Sequence, residues 1–421
     1  MCLHSVERLC VRHGKQGGTA ESNFDPVLVF ESHRDGVFVF TRPVPQTGAG
    51  FLLPARMKER NRIMKKITRR SFLKVSAVSA AALGLSACGA SASAAASSAA
   101  SAASSAAGSA ASAAGREYKV GIVNYVDDAS LNQIVASVQG ELDVLAAKYG
   151  CTFNYGDYYS NAQADQSTLN QIASDLIADK VDAIVAIATP TAKIMAAQTE
   201  DIPVIFAAVS DPESAGLTGI ANVTGTSDAL DTESIMKLIT AANPNAKNIG
   251  FLYDLSQDSS TAAIASAKKY CDDNGLAYVE KNGTTTTEVQ QAAEALIAAK
   301  VDAVFTPTDN TIMTAELSIY EKFAEAKIPH YAGADSFALN GAFCGYGVDY
   351  VQLGVATADI VGKVLGEGTK PADIPFEGFD NGIATVNTEI CEAIGYDLAS
   401  VKTAFAPYCT SVEEIQTAEN F

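Results

Sequence analysis

The residues with the best chemical prospects in this 421-residue chain are hydroxyls and carboxylates gathered in short polar segments. Six of these follow apolar runs: NYVDDASL (124–131), ATPTA (188–192), AAVSDPESAGL (207–217), YDLSQDSS (253–260), TPTDNT (306–311) and GADSF (333–337). Hydroxyls and helix N-terminal N–H groups can hold a carboxylate without arginine, which suits Thr189, Thr191 and Ser210. A buried carboxylate can hold an ammonium by charge-assisted hydrogen bonds, the role expected of Asp309 beside Thr308 and Asn310. Tyr125, Asp128, Ser130, Asp211, Tyr253 and Asp335 complete the candidate binding set, with Ser227 from the neighbouring NVTGTSD (222–228). Asp128 or Ser130 also fits an N-cap. Tyr125, Tyr253, Phe337 and Tyr346 lie in or beside these segments and offer rings for an aromatic ligand.

Catalysis is poorly provided for. After residue 33 the only histidine is His330, directly behind Ile328-Pro329, where a packed strand position is the expectation. A Ser-His-Asp or Cys-His arrangement would rest on that one ring. There is no Walker P-loop, no GxGxxG after the first strand, no GxSxG and no HExxH. Carboxylate pairs for glycoside hydrolysis stay open by count, but the acids are scattered through helical segments. Cys151, Cys271, Cys344, Cys391 and Cys409 match no zinc or iron–sulfur spacing and read as buried thiols, a Cys391–Cys409 bridge staying open. No cofactor and no metal are expected.

What must position these segments is a repeat. LIADKVDAIVAIATPT (176–191) and LIAAKVDAVFTPTDN (296–310) are nearly the same words. KVGIV (119–123) pairs with NIGFL (248–252), KYGCTFNY (148–155) with DNGLAYVE (273–280), and EDIPVIFAAVSD (200–211) with AKIPHYAGADSF (326–337). Each half reads as strands alternating with helices, the pattern of a parallel sheet covered on both faces. Leu131, Ile134, Val138, Leu142 and Leu145 make one helical stripe, and Gly150 follows as its C-terminal cap. Two such halves form two α/β lobes. Open parallel sheets bind ligands beyond the carboxyl ends of their strands, so the six segments converge on one shared cleft.

Charge divides the chain differently. Residues 1–115 hold 14 Lys and Arg against 6 Asp and Glu, whereas residues 116–421 carry a net charge of −26 within the total of −18. Arg116 is the last arginine. Such an acidic domain repels nucleic acid and anionic membrane surfaces. MKKITRRSFLKVSAVSAAALGLSAC (64–88) has a basic start, an apolar run too short to span a bilayer, and small residues before Cys88. It reads as an export signal of twin-arginine type with a lipoprotein box, making Cys88 the lipidated first residue and the sole membrane anchor. Residues 1–63 are expected to be an upstream over-read with Met64 as the start; amino-terminal sequencing of the precursor tests this. Ala/Ser-rich sequence follows to residue 117; about 25 residues of it span roughly 25–30 Å as a flexible coil.

IPVIFAAVSDPESAGL (202–217), NVTGTSD, TPTDNT and GYGVDYVQLG (345–354) together resemble the substrate-binding proteins of ABC importers, nearest the tryptophan or aromatic-amino-acid branch. The resemblance runs from about Tyr118 to Thr403. It implies a type I periplasmic-binding fold: two doubly wound parallel-sheet lobes, 118–223 plus 349–384 and 224–348 plus 385–421, joined by three hinge crossovers. NVTGTSD, FCGYGVDY (343–350) and the stretch near 381–387 would be those crossovers. Residues 353–365 would form a helix returning to the first lobe. In the loop after the first strand, Asp127-Asp128-Ala129 stand where many relatives carry a histidine. The implied function is an extracytoplasmic lipoprotein handing a small solute, an amino acid such as tryptophan, to an ABC permease and its ATPase. A receptor presenting ligand to a membrane sensor, or an aliphatic amino acid or nucleoside-like ligand, are the alternatives.

Overall fold

The run KVGIV forms the middle of β1 (Glu117–Asn124), whose Val120, Ile122 and Val123 are fully buried because neighbouring strands and helices cover both faces. The computed structural model describes residues 115–379 and 382–418. The proposed over-read, export signal, Cys88 and most of the tether lie outside the described residues.

After β1 come α1 (Ala129–Tyr149), β2 (Thr152–Asn154), β3 (Tyr159–Asn161), α2 (Gln166–Ala178), β4 (Ala183–Ile187), α3 (Thr189–Gln198), β5 (Val204–Ala207) and β6 (Val223–Ser227). The stripe expected on α1 is buried, and Gly150 ends the helix in the left-handed region at φ 66°. The second half runs α4 (Thr232–Ala242), β7 (Asn248–Tyr253), α5 (Asp258–Asn274), β8 (Ala277–Asn282), α6 (Thr286–Ala298), β9 (Ala303–Thr306), α7 (Asn310–Ala315), α8 (Tyr320–Glu325), β10 (His330–Ala332), α9 (Asp335–Leu339) and β11 (Cys344–Gly347). The chain then crosses back with α10 (Tyr350–Leu365) and β12 (Glu377–Gly378), and returns with β13 (Ile383–Asn387), α11 (Thr388–Ala393), α12 (Leu398–Phe405) and β14 (Ser411–Ile415).

One sheet has the order β12-β6-β5-β4-β1-β2, with β3 also on β1, and its pairs are parallel. The other has the order β14-β13-β11-β10-β9-β7-β8. In it β13 runs antiparallel to β11, an exception to the expected parallel sheets. The cause is direction of entry: β11 leaves its lobe at the hinge, and β13 starts there.

The repeated Lys-Val-Asp has a local explanation. Lys180 and Lys300 take left-handed φ values of 54° and 53°, ending α2 and α6. Two residues on, the Asp182 carboxylate accepts from the Lys119 amide at 2.9 Å, and that of Asp302 from the Lys247 amide at 2.7 Å. Each copy thus stops a helix and ties the turn to the first strand of its lobe.

The first crossover sits slightly later than the sequence reading placed it, the second falls within the expected stretch, and the third sits slightly earlier. Residues 223–227 of NVTGTSD form β6 of the first sheet, so the first crossing begins at Asp228, not at 224. Likewise Cys344–Gly347 belongs to the second sheet, and the second crossing is confined to Val348 and Asp349. The third lies between β12 and β13, with all of β13 in the second lobe. Backbone bonds tie the three together: the Phe379 amide donates to Ser227 at 3.1 Å and the Gly382 amide to Gly347 at 3.2 Å.

The returning helix α10 packs along α1, closest at Gly354. A Cβ there would lie 2.7 Å from that of Ser137 and 2.9 Å from the Ile134 carbonyl oxygen. Gly354→Ala should therefore destabilise by about 1–2 kcal/mol despite alanine's better helix propensity, read as a lower melting temperature.

His330 is a buried strand residue, as expected. Its Nε2 lies 2.8 Å from the Thr306 hydroxyl and its Nδ1 2.9 Å from Glu316. All five cysteines from Cys151 onward are free thiols, four of them buried, so Cys391 and Cys409 are not bridged.

Candidate functional site

Where the carboxyl ends of β1, β4 and β5 face those of β7, β9 and β10, the lobes line a small cavity of about 40 Å³. The first lobe lines it with Asp128, Ser130, Leu131, Ala188, Thr189, Ala208 and Ser210. Facing these are Ser259, Thr308, Asp309, Asn310, Met313, Ala334, Ser336 and Phe337 of the second. Asp228 and Tyr350, the first residues beyond β6 and beyond the second crossing, close the hinge side.

The cleft is shut. The Ser130 hydroxyl donates to Asp335 Oδ1 at 2.5 Å, and Gln133 Nε2 donates to Asp335 Oδ2 at 3.2 Å. Ser210 and Thr308 meet hydroxyl to hydroxyl at 2.9 Å. Lys193 pairs with Asp258 at the outer edge. Every one of these contacts crosses between lobes.

Local sequence explains the wall on the first lobe. Asp128 caps α1, its Oδ1 accepting from the Leu131 amide at 3.0 Å. Its Oδ2 is buried without a hydrogen-bond partner. Ala188 and Ala208, just past β4 and β5, adopt φ values of 73° and 51°. Left-handed alanine costs on the order of 1–2 kcal/mol, a strain concentrated at functional sites. Here it turns the chain so that α3 opens on the cavity with Thr189 at its first turn and Pro190 beside it. A helix N-terminus so placed has the geometry to hold an anion.

Among the described residues, three carboxyls line the cavity and no Lys, Arg or His does. Burial pushes each up to about 6. For Asp128 desolvation outweighs the Leu131 amide, and Asp335 adds to it. For Asp228 it outweighs the Ser210 hydroxyl, which donates at 3.0 Å, and Tyr350, at 3.5 Å. For Asp309 it outweighs four donors. These are the Thr311 and Ile312 amides at 3.0 Å and, at 2.7 Å, the Asp254 amide and Ser260 hydroxyl.

Those four bonds correct the role expected of Asp309. It is the N-cap of α7 and a tie to the loop after β7, with both oxygens already engaged, so it has no free acceptor for an ammonium. Thr191 is fully buried inside the first turn of α3 and does not reach the cavity. Tyr253 turns away, its hydroxyl donating to Glu280 at 2.7 Å, and Tyr346 donates to the Tyr408 carbonyl at 3.0 Å. Asp211 accepts from the Ser214 amide and hydroxyl, and Ser227 from the Ala229 amide; both line an outer hollow beside the first crossing. Tyr125 borders another outer hollow, opposite Gln257, and Asp335 is a lobe-to-lobe tie. Asp128, Ser130, Thr189, Ser210, Thr308, Asp309 and Asn310 are the predicted polar residues that do meet, and Phe337 is the one predicted ring that joins them.

The set missed Asp228 and Tyr350, which the sequence reading treated only as hinge. It also missed Ser259 and Ser336, although both stand in the segments singled out. Nothing in composition marks Ala188 and Ala208, whose backbone geometry comes from the fold.

Residues 119–400 match the ABC transporter substrate binding protein family, and residues 66–86 match the signal sequence of the twin-arginine translocation pathway. The chain is 32% identical over 309 residues to a tyrosine-binding protein of Clostridioides difficile, covering 72% of this chain and 88% of that one. It superposes on an ABC domain from Streptococcus pneumoniae in complex with L-Trp with a TM-score of 0.64 at 31% identity, covering 70% of this chain and 99% of that one. On the ligand-free, open structure of a substrate-binding protein with adhesive properties from Clostridium difficile the TM-score is 0.55, again at 31% identity, with 72% and 100% covered. The chain therefore belongs to the ABC transporter substrate-binding protein family, as an exported, non-enzymatic solute-binding component.

Proposed function

We propose that the cleft binds an aromatic amino acid, tyrosine or tryptophan, and that a lipidated Cys88 anchors the protein beside its permease and ATPase. The observation that carries this reading is the buried Oδ2 of Asp128, unpartnered among the described residues, in a cavity that they line with carboxyls and with no cation. An ammonium suits that place, with Asp228 on the hinge side of the same cavity. The amides opening α3 and the Thr189 hydroxyl suit a carboxylate, and Phe337 and Tyr350 suit a ring. The relatives named for tyrosine and solved with L-Trp support the aromatic class. The closer superposition on the L-Trp complex than on the open protein accords with a shut cleft here.

The chain contains no tryptophan, so indole emission on adding L-tryptophan comes from ligand alone. Binding should shift that emission to the blue and saturate at one ligand per protein. Unshifted emission, together with a rise in melting temperature on adding an aliphatic amino acid or a nucleoside, overturns the aromatic assignment.

Acid should weaken binding. The cavity carboxyls sit near 6, above the ordinary value of 3.8, so the empty closed cleft takes up protons as pH falls through about 6. An ammonium must displace them. Affinity should hold above about pH 7 and drop by about tenfold per pH unit below 6 for each proton displaced, measured by calorimetry. Affinity independent of pH down to about 5 removes these carboxylates from the ligand contact.

A further inference from the structure

Each hydroxyl has one proton to give, and in this cavity most are already given. Ser130 donates to Asp335 and Ser210 donates to Asp228. With the Ser210 proton so directed, the 2.9 Å contact between Ser210 and Thr308 makes Thr308 the donor. The Ser259 hydroxyl donates to the Thr308 carbonyl at 2.9 Å, and Tyr350 points its hydroxyl at Asp228. These groups therefore present lone pairs to a ligand. With the free Oδ2 of Asp128, 6 % exposed, they make a cavity wall of acceptors. The donors left for a ligand anion are few and neutral: the Thr189 hydroxyl, the start of α3, and the Asn310 Nδ2 proton not given to Gln257.

The two ends of an amino acid are thus recognised unequally. Resting on the amino-acid reading of the cleft, we propose that the ligand's ammonium is the obligatory recognition group and its carboxylate a dispensable one, so that arylalkylamines form a second ligand class. A ligand without its ammonium leaves Asp128 and the turned hydroxyls facing no donor. A ligand without its carboxylate leaves a helix N-terminus and neutral donors, which water can satisfy. Removing a partner from a buried charge is the more severe loss.

Calorimetry at about pH 7.5 on the purified protein, with L-tyrosine, tyramine and 3-(4-hydroxyphenyl)propionate, tests this. Tyramine should bind within about tenfold of L-tyrosine, and the propionate at least about a hundredfold more weakly than tyramine. Asp128→Asn should weaken tyramine and leave the propionate unchanged or tighter. A propionate that binds as well as tyramine overturns the proposal while leaving an amino-acid cleft in place. If L-tyrosine does not bind, the aromatic reading falls, and the same order is read on L-leucine, 3-methylbutylamine and 4-methylpentanoate. Failure of both amines to bind overturns the proposal as well.

Discussion

Asp128→Asn should lower affinity for L-tyrosine or L-tryptophan by about 30- to 1,000-fold, while the ligand-free protein melts no lower than the wild type. The first part follows from removing one partner of a buried ion pair, worth about 2–4 kcal/mol. The second follows from what the substitution preserves. Asparagine keeps the oxygen that accepts from the Leu131 amide, so α1 stays capped. It also removes a carboxylate whose burial opposes its ionised form, the reason the group sits near 6. Titration calorimetry beside thermal unfolding reads both quantities. Unchanged affinity would move the ammonium to another acceptor, with Asp228 next to be tested.

Asp309→Ala should act in the opposite way, lowering stability by about 3–5 kcal/mol. The change removes an N-cap and strips acceptors from three amides and one hydroxyl in a fully buried position. A cap is worth about 1 kcal/mol, and each buried donor left unsatisfied about 1–3 kcal/mol, with water and side-chain rotation recovering part of the sum. Asp309→Asn, which can still accept on one oxygen, should fall between. Urea unfolding with an unchanged m-value measures the difference. A wild-type midpoint for the alanine variant would mean that the four bonds contribute nothing net.

These two residues show how far sequence goes in this chain. Both were legible as aspartates at the start of a helix beyond a buried strand, because apolar runs, repeat spacing and caps are local patterns. Which one is saturated and which one is spare was not legible, since it depends on donors distant in sequence. Asp309 is filled by Asp254 and Ser260, which reach it from the loop after β7 and from α5. Asp128 faces Ser336 of the other lobe, where no further amide comes within bonding geometry of Oδ2. The two lobes and the alternation of strands with helices followed from the duplicated words. The reversed β13 did not, because strand direction there is set by which end of the sheet the chain re-enters. Tyr253 and Tyr346 were drawn toward the cleft by sequence proximity alone; both are strand residues, and their hydroxyls go to Glu280 and to the Tyr408 carbonyl instead.

The order of the chain through the hinge has a consequence for assembly. α10 lies along α1 and β12 along β6, yet both come after every strand of the second lobe up to β11. As the chain leaves the ribosome, residues up to 227 therefore make a sheet whose covering helix is still more than a hundred residues away. The face of α1 that α10 will cover has to wait, and such distant pairing makes for slow folding with apolar surface open to aggregation. Cutting the gene at the first crossing should give two insoluble halves. A chain stopped after β11 should keep the second lobe's β7–β11 layer but leave the first without its lid helix.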